Sequence, residues 1–167
     1  VVEKIRGGNA TTLGAASGAV AGLVAITPCA GFVGGLSPIV IGFVAGGVCY
    51  LAVQIKFRVG YDDSYDVVAV HLVGGIVGSL LLGVFGDTAV NSLGADGLVA
   101  GGGVALLVKQ FVAVAATLVY SGVLSFVIAK VVDATIGLRV TPDEELRGLD
   151  LSQHSETAYT HGEVAGV

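Results

Sequence analysis

The chain has 167 residues, 54% of them hydrophobic and only 13% charged, with a mean hydropathy of +0.89. That balance excludes a soluble domain with a polar surface and points to helices in lipid. The formal net charge of −5 does not argue for an acidic partner or against a basic one, because a cluster of the acids follows Pro142; no nucleic-acid role is implied.

Gly occurs 27 times while Met and Trp are absent, so the apolar mass is carried by Val, Leu, Ala and Gly, a mixture suited to close helix packing in a bilayer. Cys29 and Cys49 lie in apolar stretches without CxxC spacing and read as small buried hydrophobes. The opening Val-Val-Glu-Lys-Ile-Arg carries no signal sequence and reads as an interior cut.

Residues 7 to 55 contain no Asp, Glu, Lys or Arg, too long for one span of about 20 residues and right for two. Thr27-Pro28-Cys29-Ala30-Gly31 is the expected break, since Pro28 biases Thr27 away from helix. Helix one is placed at about 11–27 and helix two at about 37–55, with Pro38 in the first turn, where a missing N–H costs nothing. Helix three follows Asp62-Asp63-Ser64-Tyr65-Asp66 at about 66–86, with Ser64 or Asp66 as the expected cap. Helix four runs over about 103–133, long enough to tilt or project. Gly14, Gly18 and Gly22, then Gly42 with Gly46 and Gly74 with Gly78, form stripes that let helix backbones approach.

Lys4, Arg6, Lys56, Arg58, Lys130, Arg139 and Arg147 fall at one set of helix ends, and the loops 28–36 and 87–102 contain no Lys or Arg. The bias predicts both termini of this chain in the cytoplasm.

His71 is the ionisable side chain well inside a predicted span, and intramembrane polar groups are expensive. A structural histidine and a pore-lining one both fit the spacing. Imidazole can donate at one nitrogen and accept at the other, so it could orient a small polar solute or pass a proton. Asp63 and Asp66 read as cytoplasmic-end residues that cap and pair with Lys56 or Arg58 rather than as a metal cluster. His154 and His161 lack metal spacing, and no nucleophile, acid pair or metal cluster shares a plausible site, so neither an enzyme nor a cofactor is expected. The segment 141–167 has few large apolar residues and is expected to order only against a partner or the helix ends.

The run from Gly14 through Thr27-Pro28 resembles the eighth membrane helix of the Amt/Mep/Rh ammonium transporters. Asp62-Asp63-Ser64-Tyr65-Asp66-Val67-Val68-Ala69-Val70-His71, followed by Val73-Gly74-Gly75-Ile76-Val77-Gly78, resembles the tenth helix with its pore histidine. Gly137-Leu138-Arg139-Val140, Gly148-Leu149-Asp150 and His154-Ser155-Glu156-Thr157-Ala158-Tyr159 are similar to the cytoplasmic tail.

The resemblance implies an all-α integral membrane protein, with residues 1–140 supplying four of eleven helices in each subunit of a homotrimer and 141–167 a cytoplasmic regulatory tail. It implies a multi-pass protein of the cell membrane that moves ammonium or ammonia through a hydrophobic pore. His71 would be one of two pore histidines and Val67 would help line the pore. Gly137, Leu138, Arg139, Gly148, Leu149, Asp150, Glu156 and Tyr159 would belong to a tail that meets a PII-type protein or a neighbouring subunit. An ammonium-sensing receptor of the same fold is the alternative. Leu72 stands where Gly usually follows the histidine, Ser155 where the tail usually has Gly, and Ser37-Pro38 differs from the common start of the ninth helix. The second histidine belongs to helices outside this chain, so these residues alone are not expected to conduct.

Overall fold

The computed structural model describes residues 1–157, and the chain divides into two compact units, Val1–Leu118 and Val119–Val167. Among the described residues every regular element is helical. Four segments are long and apolar enough to cross a membrane: Thr12–Cys29, Ser37–Val59, Val68–Phe85 and Ala105–Thr135.

In the first unit a short helix α1 (Val2–Gly7), which composition does not signal, precedes α2 (Thr12–Ile26). The Glu3 carboxylate joins them, accepting from the Thr11 N–H at 3.0 Å and the Thr11 hydroxyl at 2.8 Å. Thr11 in turn accepts from the Gly14 N–H at 2.9 Å, satisfying one of the free donors of the first turn. The α-helix ends at Ile26 and the chain breaks within the expected Thr27–Gly31 segment, with Gly31 at φ 80, although Pro28 does not push Thr27 out of helical dihedrals. Thr27 keeps helical dihedrals and opens a 3-10 turn, Thr27–Cys29, with Pro28 at its start, where proline needs no donor. The chain turns only beyond it.

Helix α3 (Ser37–Val59) has Pro38 in its first turn, as expected, and outlasts the expected end by one turn. Between α2, α3 and α4 (Gly74–Phe85) the core is made of small side chains: Ala21, Ala25, Cys29, Ala45, Cys49 and Ala69, with Ile41 the largest fully buried one. Of the stripe glycines, Gly78 marks the closest backbone approach, while Gly18, Gly42 and Gly46 face open space. A Cβ on Gly78 would run into the Ala25 carbonyl, and one on Gly22 would lie 3.8 Å from the Gly42 Cα. Backbone therefore meets backbone, the close approach that replaces hydrophobic driving force in lipid. Cys29 adds a directed contact, its thiol donating to the Gly78 carbonyl at 3.2 Å.

After Phe85 the chain folds back over the end of α4. Gly97 N–H donates to the Gly86 carbonyl at 2.7 Å and Val99 N–H to the Val84 carbonyl at 3.0 Å, so the last turn's free acceptors are satisfied. Asp96 accepts from the Thr88 N–H and hydroxyl, both at 2.8 Å. Helix α5 (Ala105–Thr135) comes next, with 31 residues and none buried. At about 1.5 Å per residue it exceeds a hydrocarbon thickness of about 30 Å.

In the second unit Gly137, at φ 81, ends α5 with its N–H on the Val132 carbonyl at 3.1 Å. Two short helices succeed it, α6 (Pro142–Arg147) and α7 (Leu149–Gln153), where composition suggests no independent structure. No residue in them is buried. Their order is local: Thr141 and Glu144 form a capping box, and Gln153 reaches back to the Glu144 carboxylate at 3.1 Å.

Candidate functional site

The segment that carries His71 is not an ordinary α-helix. Residues Val68–Val73 form a π turn that runs directly into α4. A π turn accommodates an extra residue within a helix and rotates the turns beyond it, and such turns concentrate at functional sites. Here Ala69 and Val70 are buried, while His71 and Leu72 turn outward. Gly74 then faces α2 and α3, where a Cβ would lie 3.3 Å from a Val24 methyl and 3.4 Å from the Cys49 sulfur.

The start of this segment is set by the carboxylates of Asp63 and Asp66. Asp63, rather than Ser64 or Asp66, caps it: its oxygens accept from the Val67 N–H at 2.8 Å and the Val68 N–H at 2.9 Å. Asp66 instead pairs with Lys56, as expected for that end of the bundle. Lys56 also donates to the Asp63 carbonyl at 2.8 Å. Among the described residues no three His, Cys, Asp or Glu side chains gather as a metal site would need.

His71 lines an open groove of about 580 Å³. Val24 and Thr27 supply one wall, Leu72, Gly75 and Ser79 the floor beside the histidine, and Gln110 and Thr117 of α5 the other wall. Most of this surface is apolar, with a few polar groups spaced along it. Thr27 satisfies its hydroxyl on the Leu23 carbonyl at 2.7 Å. Among the described residues neither the His71 imidazole nor the Gln110 amide has a hydrogen-bond partner. An unpartnered polar group at membrane depth costs several kcal/mol in hydrocarbon, so this groove holds capacity for a polar solute, water or a further helix.

Val67, 48% exposed, lies outside the groove. Leu72, at the position where the resemblance implies glycine, lies in it. Sequence reading passes over Gln110 and Thr117; the available signal is that Gln110, next to Lys109, is an amide within a mainly apolar span.

A family model described as "Ammonium Transporter Family" matches residues 1–159. The chain belongs to the ammonium transporter family. It is 46% identical over 171 residues to the "Ammonium transporter" of Mycobacterium tuberculosis, an alignment covering 99% of this chain and 36% of that protein. With the "Ammonium transporter" of Bacillus subtilis the identity is 49%, covering 95% of this chain and 39% of that protein. The crystal structure of Saccharomyces cerevisiae Mep2 superposes with a TM-score of 0.78 at 34% identity, over 85% of this chain and 33% of that one. The chain thus spans well under half the length of these ammonium transporter relatives, and it is a multi-pass membrane protein by family and by its four apolar helices.

The residues assigned to the tail occupy the second unit. Gly137 and Gly148 have φ of 81 and 91 and shape its turns. Leu138 and Leu149 are 55% and 48% exposed. Glu156 N–H donates to the Asp150 carbonyl at 2.9 Å, and Arg139 lies just past the turn at Gly137. Tyr159, like His161, lies outside the described residues.

Proposed function

We propose that this chain is the C-terminal part of an ammonium transporter, corresponding to helices eight to eleven and the tail, and that His71 lines its conducting path. The observation that carries this reading is the His71 imidazole, unpartnered among the described residues, on a π turn in an apolar groove between membrane helices. Family membership supplies the solute, and the relatives named above are described as transporters, which favours transport over sensing.

The chemistry derives from the cost of charge in lipid. An intact ammonium ion crosses hydrocarbon at a penalty of several kcal/mol, while ammonia carries no net charge. An imidazole that accepts at one nitrogen and donates at the other holds the solute and takes or returns its proton where bulk water is excluded. In this reading the rest of the polypeptide closes the groove and contributes the second histidine. Val67, four residues before His71, lines the neighbouring stretch of the path. Cytoplasmic placement of both ends of this chain is supported by the Lys and Arg bias. A homotrimer in the cell membrane and a PII-type partner for the tail belong to the same reading, on the strength of the resemblance alone.

The test is flux. The full-length polypeptide that carries these residues, reconstituted into liposomes, is expected to give saturable ammonium-dependent current or internal pH change. A properly folded preparation giving neither would overturn the transport reading.

A further inference from the structure

The arrangement at the start of the histidine segment does more than end a loop. Asp66 has φ 56, in the left-handed region, where a side chain other than glycine costs roughly 1–2 kcal/mol. Asp tolerates that region better than most residues, yet such a conformation persists only where its surroundings over-determine it. What surrounds it here is Lys56, in the last turn of α3. Lys56 forms an ion pair with the Asp66 carboxylate and donates to the Asp63 carbonyl at 2.8 Å, so it grips the turn on both sides.

The pair is sheltered, with side-chain exposures of 15% and 26%, which places it above the fully exposed pairs that contribute almost nothing. The turn it holds directs the Asp63 carboxylate across the Val67 and Val68 N–H groups. From Val67, the residue after Asp66, the chain runs in continuous helix to His71. Helical backbone is stiff over that distance, so the seat of Asp66 fixes the heading of the imidazole. The apolar contact of Val70 with Cys49 and Ala21 supports the same segment from α3 and α2.

We propose that Lys56 and Asp66 are positioning residues for His71: their ion pair holds the left-handed turn that opens the π segment and thereby sets where the histidine stands in the groove. This rests on the reading of His71 as path-lining. The proposal separates charge from backbone, because glycine can supply the left-handed conformation without the carboxylate.

The experiment compares Lys56→Met, Lys56→Arg, Asp66→Gly and the Lys56→Met/Asp66→Gly double variant with His71→Ala, all in the full-length protein. The probe is methylammonium uptake, with the amount of protein in the membrane measured in parallel. Expected for Lys56→Met and Asp66→Gly alike is a fall of about tenfold or more in maximal rate at little changed half-saturation, as for a misplaced functional group. The double variant falls no further than either single one, since both remove the same contact, and Lys56→Arg retains most of the rate. Amide exchange over residues 64–73 rises in Lys56→Met while that over 12–26 does not. Asp66→Gly at full rate would overturn the proposal, because the turn would then suffice without the pair. Additive losses, or a fall that merely tracks membrane abundance, would overturn it as well. If His71→Ala transports normally, it is the path-lining reading that fails, and the two failures are distinguishable.

Discussion

Between Thr12 and Phe85 the helices meet through Ala21, Ala25, Ile41 and Ala45, each at most 1% exposed, whereas between Thr141 and Gln153 no residue is buried and the structure hangs on the Glu144 carboxylate and the Thr141 hydroxyl. The contrast shows how the surroundings choose the cement. In lipid, apolar side chains gain little by exchanging lipid for one another, so order comes from backbones that approach closely enough for dense contact. In water a segment with few large apolar residues cannot build a core, and it gains order by satisfying the free N–H groups of short helices.

The packing half of that comparison is most exposed at Gly78. Alanine there drives a methyl into the Ala25 carbonyl, which is backbone and cannot swing aside, so a cost of about 3 kcal/mol is expected. A large fall in the thermal midpoint of the detergent-extracted protein would agree, and an unchanged midpoint would break the packing account. The capping half is tested by Thr141→Ala, which removes the cap at about 1 kcal/mol. Amide exchange should speed up over residues 142–153 and stay unchanged over 12–26; a change in both would show that the capping effect is not local.

Acid sharpens the same point. The Glu144 carboxyl is held below its ordinary 4.5 by hydrogen bonds from the Thr141 N–H and hydroxyl. A depressed carboxyl contributes fully above the ordinary carboxylate range and loses that contribution as pH falls through its lowered value. Protection of residues 142–153, corrected for intrinsic exchange, should therefore decline on acidification below 4.5, and protection that holds steady would contradict the role given to Glu144. Asp96 is depressed by the same kind of contact from Thr88, so the loop over α4 should loosen in that direction too. The smallest effect expected is a gain: Ser155 has φ 55, and Ser155→Gly should stabilise the tail by a few tenths to about 1 kcal/mol. Faster exchange in that variant would show that the serine side chain is needed there.

The four spans are legible in the sequence because charge-free runs of membrane length leave few alternatives, and the observed Ala105–Thr135 lies within two residues of expectation at each end. The failures are local. At Pro28 the break falls in the expected segment, but Thr27 stays helical because proline is well placed where a new turn begins, and the helix tightens into a 3-10 turn before it ends. The Thr141-Pro142-Asp143-Glu144 order is itself a capping-box signature, hidden when the tail is judged by composition. The π turn has no sequence signature, since it depends on how Val70 seats against Cys49 and Ala21 and on where Asp66 is held. For the same reason the histidine is legible as a residue, but its neighbours Thr27, Ser79, Gln110 and Thr117 are not. They converge only once α5 lies beside α4.

The most direct test of the central claim is the rate and proton coupling of ammonium transport by the full-length His71→Ala protein in liposomes, measured at matched protein density. A loss of rate or of proton coupling, with the thermal midpoint unchanged, is what the account expects. Transport at the normal rate with normal proton coupling would contradict it and leave His71 a structural residue.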